Sequence, residues 1–249
     1  VAVIVKDDRI LAVCLLAGKM MIESGSEMYR VEDTMQRIAY NAGAADCETF
    51  TTPTGLLMSL GESRVQILQV THRTINLEQV ERINALSRRF AVHDITLADF
   101  HQALVKLNRN AVVFPAWLQL IAAAVISSTL MILYNGVWFD FPSTALIGTI
   151  GYAIFYFGKQ RWQVNFLNEF FASLAIGLLA WAAVRLHLGQ RLDLIIIGAV
   201  MPLVPGVPIT NAVRDILAGH LLSGLARGLE ALLSVSAIGI GIALTFRLF

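Results

Sequence analysis

Charge is scarce in this sequence, and what there is sits unevenly. Asp, Glu, Lys and Arg make up 15% of the 249 residues, against about 25% in an ordinary soluble domain. Residues 1–110 hold 25 of these side chains and residues 111–249 only 12. Cysteine is nearly absent. Cys14 and Cys47 stand apart in the polar part, which gives no disulfide framework and no C-x-x-C metal or redox site. No basic run is longer than Arg88-Arg89 and the net charge is +1, so nothing points to nucleic acid. The sequence also lacks G-x-S-x-G, H-E-x-x-H, a P-loop and G-x-G-x-x-G. No catalytic residue, cofactor or metal is expected. The opening run "VAVIV" is too short for a signal-peptide core.

Apolar residues, by contrast, reach 56%, with a mean hydropathy of +0.65. A bilayer core about 30 Å thick needs roughly 20 apolar residues in a helix. Five stretches qualify or nearly so: 112–134, 141–158, 164–184, 193–205 and 221–246. The fourth is short, about 18 Å at 1.5 Å per residue, with a broken continuation over 208–219. The expected fold class is therefore membrane α-helical. A five-span bundle (111–249) with one broken helix follows a small α+β domain (1–110). Lys106, Arg109, Lys159 and Arg161 flank the spans on one side, and the 135–140 loop has no Lys or Arg. The positive-inside rule then puts the polar domain in the cytoplasm. Arg185 and Arg191 argue mildly against this, and an odd span count puts the C-terminal end outside.

The polar part reads as ααβββαα. Residues 7–24 are densely apolar and stop at Gly25; Ser26 can cap a second helix running to about Gly43. "DCETFTT", "GLLMSLG" and "RVQILQVT" read as three strands, separated by Pro53, Gly55 and Gly61. Two amphipathic helices follow, capped by Asn76 and Thr96. His93 and His101 are eight apart, but a turn near Asp94 separates them and they read as surface histidines.

The stretch "MPLVPGVPITNAVRDILAGH" (201–220) holds three prolines in seven residues. Pro202 and Pro205 each lack an N–H and clash with the preceding turn, so a helix breaks there. Gly206 permits backbone geometry that other residues resist, and Pro208 suits the first turn of a new helix. A break at membrane depth must face protein or a water-filled cavity. Asn211 and Asp215, four apart, share one helical face, Arg214 points elsewhere, and Gly219 continues the face and admits a neighbouring helix. Arg227 and Glu230, three apart, can pair. Charge at that depth costs at least ~2.5 kcal/mol, so Asn211, Asp215, Arg227 and Glu230 are the candidate substrate-binding set. On the alternative reading the prolines mark an extramembrane loop and the charges are solvated.

Three motifs carry a resemblance: "PLVPGVPITNAVRDILAGHLLSGLARG" (202–228), "GSEMYRVEDTMQRIAYNAG" (25–43) and "TPTGLLMSL" (52–60). With them the chain resembles the threonine/serine exporter family over nearly its whole length. It is most similar to the larger subunit of the split, two-component form, which includes succinate exporters. The resemblance implies proton-motive-force-coupled export of small metabolites across the bacterial inner membrane. Fused family members are about twice this length, with an inverted second half carrying its own P-x-x-P-G element. A smaller five-span subunit is therefore the expected partner, alongside the lipid bilayer and a small-molecule substrate. Two other classes stay open: a regulatory or scaffolding subunit whose partner forms the pathway, and a membrane-anchored enzyme with its chemistry in residues 1–110.

Overall fold

The structure is a computed structural model and describes residues 2–61, 64–110, 114–162 and 166–248. By internal packing the chain forms two compact units: Val1–Val112 with Gly206–Leu229, and Val113–Pro205 with Glu230–Phe249. The sequence boundary near residue 110 separates polar from apolar composition. Packing adds Gly206–Leu229 to the polar unit.

The first unit is built around α1 (Ala2–Glu23), which starts earlier than its apolar run suggests. Ile10, Leu11, Val13, Cys14, Ala17, Met20 and Met21 are all buried, and from Ile10 onward only the stripe of Ala12, Leu16, Lys19 and Glu23 is left exposed or half-buried. Burial also pushes the Cys14 and Cys47 thiols above their usual value, and both cysteines are free. α1 ends in a Schellman motif. Gly25 takes φ +84°, its N–H bonds Ile22 O at 3.1 Å, and the Ser26 N–H bonds Met21 O at 3.0 Å. α2 (Met28–Asn41) follows after four residues, Ser24 to Glu27.

Three antiparallel strands come next: β1 (Cys47–Thr52), β2 (Gly55–Leu60) and β3 (Arg64–Gln69), in the order β1-β2-β3. Thr52 faces Gly55, so Pro53 and Thr54 alone make the first turn. Leu56, Met58 and Leu60 alternate into the core with the period of two that a pleated strand imposes. α3 (Leu77–Ala91) and α4 (Leu97–Arg109) complete the ααβββαα order. Asn76 accepts the Gln79 N–H at 3.1 Å, and Thr96 with Asp99 forms a full capping box. Phe90 and Phe100 stack at 5.4 Å and close the core under the α3–α4 turn, where His93 sits at φ +58°.

In the second unit lie α5 (Ala116–Leu133), α6 (Phe141–Trp162), α7 (Leu167–Arg185), α8 (Leu192–Val200) and the later part of α10 (Leu221–Leu248). The starts assigned to the first and third spans, residues 112–113 and 164–165, lie outside the described residues. Among the described residues four helices are long and apolar enough to cross a membrane: α5, α6 with its preceding 3-10 turn, α7 and α10. A fifth span exists if Leu192–Leu203 and α9 (Gly206–Leu217) count as one bent element. Small residues bring these helices close. A Cβ on Gly198 would meet the Ser127 carbonyl at 2.5 Å, and one on Gly148 would run into the Ser127 Oγ. Asp140, fully buried, accepts the Gln190 N–H at 2.7 Å and the Arg191 N–H at 3.0 Å, where α8 begins. A carboxylate there satisfies donors that the helix start leaves open.

Candidate functional site

The break before α9 comes from the prolines. A 3-10 turn, Met201–Leu203, contains Pro202. Val204 then turns extended, at φ −66° and ψ 126°. It precedes Pro205, whose ring disfavours helical geometry in the residue before it. α9 starts at once at Gly206, with Pro208 in its first turn as expected. Two glycine roles need correction. Gly206 is helical and no atom lies near its would-be Cβ, so it supplies no special geometry. Gly219 likewise admits no neighbouring helix. It takes φ +90° and ends α9 in a second Schellman motif, with the His220 N–H on Asp215 O at 2.8 Å. The close approach falls at Gly224 instead, where a Cβ would lie 2.8 Å from Ala212 O. α9 and the start of α10 thus form a tight helical hairpin within the first unit.

This hairpin grips the α1–α2 turn. Asn211 Nδ2 donates to Gly25 O at 2.8 Å, and Arg227 Nη2 donates to Ser26 O at 2.7 Å. The Met28 N–H donates to Asp215 Oδ1 at 2.8 Å. Asp215 Oδ2 faces Arg227 Nη1 at 3.4 Å as an ion pair. Asp215 is 0% exposed, and Asn211 and Arg227 are 6% exposed each. The expected cap of α2 is corrected accordingly. Glu27, not Ser26, is the N-cap residue, and its own side chain caps nothing. The acceptor at the helix start is Asp215, 187 residues away. Ser26 gives its carbonyl to Arg227 instead.

Arg214, beside Asn211 on α9, reaches Glu27 Oε1 at 2.6 Å, while Arg30 Nε lies 3.3 Å from Glu27 Oε2. Burial pushes the Glu27 carboxyl up. Its backbone hydrogen bond, the Arg214 hydrogen bond and the charges of Arg30 and Arg214 outweigh that and hold it below the usual glutamate range. At the hairpin's other end the Ser223 hydroxyl donates to Thr51 O at 3.1 Å. The Thr51 N–H and hydroxyl in turn bond Glu32 Oε1 at 2.9 and 2.8 Å.

Of the four expected site residues, Asn211, Asp215 and Arg227 come together here. Glu230 is half-buried and belongs to the second compact unit. Sequence reasoning passed over Glu27, Arg30, Ser223 and the backbone of residues 25–28. A usable signal was present: two of the three motifs quoted above, 25–43 and 202–228, contribute residues to this one junction. Asp140 was passed over too, although a lone acid between Arg109 and Glu169 in a charge-poor stretch is a signal. Among the described residues no three His, Cys, Asp or Glu side chains cluster to hold a metal.

Comparison with known proteins covers nearly the whole chain. The sequence profile described as "Putative threonine/serine exporter" matches residues 12–249. A "Probable threonine/serine exporter" of Mycobacterium tuberculosis is 22% identical over 246 residues, covering 96% of this chain and 46% of that protein. "Probable succinate transporter subunit YjjP" of Klebsiella aerogenes is 24% identical, covering 95% of this chain and 92% of that protein. The Escherichia coli protein of the same description is 26% identical, with 93% and 92% covered. The chain thus spans about half the mycobacterial relative and nearly all of the other two. No solved structure matches.

Proposed function

We infer the function from one premise, which the match over residues 12–249 supplies: this chain belongs to the threonine/serine exporter family. It is a multi-pass membrane protein of an exporter family, not of an enzyme family. On our reading it is one subunit of an inner-membrane exporter for small carboxylate-bearing metabolites, amino acids of the threonine/serine type or dicarboxylates of the succinate type. The polar unit faces the cytoplasm. A smaller five-span subunit supplies the complementary half, a reading supported by the word "subunit" in the names of the two relatives that this chain nearly spans. The proton-motive force drives export.

One observation carries the reading: a fully buried Asp215 paired with Arg227 on a hairpin that starts at a proline break. In the proposed cycle Arg227, a planar two-pronged donor, exchanges the Asp215 carboxylate for a substrate carboxylate. Asp215 is then released to take a proton or a substrate ammonium. Asn211 orients the substrate, and Glu230, one helical turn beyond Arg227, adds a second acid on the same helix. Since Asp215 also holds the Met28 N–H, its protonation weakens the grip on the α1–α2 turn, which ties substrate loading to movement of the hairpin.

The test is efflux from cells or vesicles holding this chain with a five-span partner. Asp215→Asn is expected to abolish efflux while the complex still inserts and assembles. Arg227→Lys is expected to impair it strongly, because a point charge does not replace a planar fork. Wild-type efflux from both variants would move the site elsewhere. A regulatory role is the second reading, and one observation favours it: the Gly25–Met28 backbone already occupies Asn211, Asp215 and Arg227. Under that reading the partner alone exports, and this chain only changes its rate.

A further inference from the structure

Within the first unit a cleft of about 380 Å³ opens between α3, the α1–α2 turn and the outer face of α9. That volume lies in the range of small-ligand sites. Asp215 and Arg227 do not line it. Three guanidinium groups do, those of Arg30, Arg88 and Arg214, against two carboxylates, Glu27 and Glu81. Arg30 and Arg214 both spend themselves on Glu27, which is 6% exposed. Each keeps donors to spare, since a guanidinium carries five N–H groups. The Arg88 side chain makes no ion pair or hydrogen bond with any described residue, and neither does the Glu81 side chain. Asn84 accepts the Thr34 hydroxyl at 3.3 Å through Oδ1, which leaves its NH2 donors uncommitted. Glu81, Asn84 and Arg88 are three and four apart on α3 and so share one face.

We propose that this cleft is a second binding site, for a small metabolite that carries a carboxylate. Arg88 and the Asn84 amide receive the carboxylate, and the spare donors of Arg30 and Arg214 close around it. Glu81 lies one helical turn from Asn84, placed to take an ammonium where the ligand is an amino acid. Asn211 and Arg214 make α9 one wall of the cleft, so a bound ligand braces the hairpin from outside. The proposal does not rest on the transport cycle above: a carboxylate bound here can regulate as well as supply.

The experiment uses the full chain in lipid nanodiscs, titrated calorimetrically with succinate, serine and threonine. At least one of these is expected to bind saturably in the cleft. Arg88→Gln is expected to weaken that binding about tenfold, the loss of one charge-assisted contact. Arg82→Gln, on the same helix but paired with Glu78, is expected to leave it unchanged. Glu81→Gln weakens serine or threonine while sparing succinate. No saturable binding of any of the three overturns the proposal, as does unchanged affinity in Arg88→Gln. Efflux measured alongside keeps the two ideas apart. Lost efflux in Asp215→Asn with intact binding in the cleft leaves this proposal standing, and normal wild-type efflux without any binding in the cleft removes it.

Discussion

A backbone N–H at the start of a helix normally finds its acceptor within a few residues of sequence. Met28 finds its acceptor in Asp215, and the carboxylate is buried with Arg227 beside it. Removing one member strands the others in a dry place. Asp215→Ala should therefore destabilise the protein by about 3 kcal/mol or more, while the paired replacement Asp215→Leu with Arg227→Met should cost much less. Thermal unfolding in one detergent, read on the single and double variants, checks this. Glu27 behaves differently because its carboxyl titrates below the usual glutamate range. Its unfolded-state value is higher, so the stability it adds is present at neutral pH and is lost as the pH falls through the lowered folded-state value. Glu27→Gln should thus be less stable than wild type near neutrality, and the gap should close on acidification. Unfolding midpoints between about pH 7 and about pH 3 test the sign.

At the scale of elements the hairpin of α9 and α10 depends on two glycines and is indifferent to a third. Gly219 holds φ +90° at the turn, and Gly224 leaves no space for a side chain. Gly219→Ala should cost about 1–2 kcal/mol from the left-handed backbone alone. Gly224→Leu should force the two helices apart. Gly206→Ala, in helical geometry with open space around it, should be neutral or stabilise by about 0.5–1 kcal/mol. Unfolding of the three variants side by side separates these roles. The helices, the strands and the caps of α3 and α4 were legible because they follow from local rules: alternation in "GLLMSL", Thr96 three residues before Asp99, three prolines before "ITNAV". The partners of Asp215 were not. Local rules report which face a side chain occupies, and nothing in the spacing of residues 201–230 shows that residues 25–28 lie opposite. For the same reason Gly206 and Gly219 were read by type, while their jobs depend on φ and on the neighbouring helix.

For the whole molecule, composition gave the polar and apolar halves but not how they divide by packing. The hairpin of residues 206–229 is embedded in apolar sequence, yet it packs with the polar unit, because its buried faces carry Asn211, Asp215, Ser223 and Arg227. The orientation remains a proposal with a direct check. A reporter inserted after Arg109 should read as cytoplasmic, and one in the 135–140 loop as external. Both reporters on one side would overturn the arrangement of the first span.

The separation of 187 positions between Met28 and Asp215 also sets a clock. Ribosomes add about 5–20 residues per second, so the start of α2 waits roughly 10–40 s for its acceptor to be synthesised. Over that interval the nascent polar unit has its sheet and its four helices in sequence but lacks the hairpin that grips the α1–α2 turn. Chains stalled before residue 206 should therefore be cut by protease near Gly25, and chains stalled beyond residue 229 and clear of the ribosome should resist.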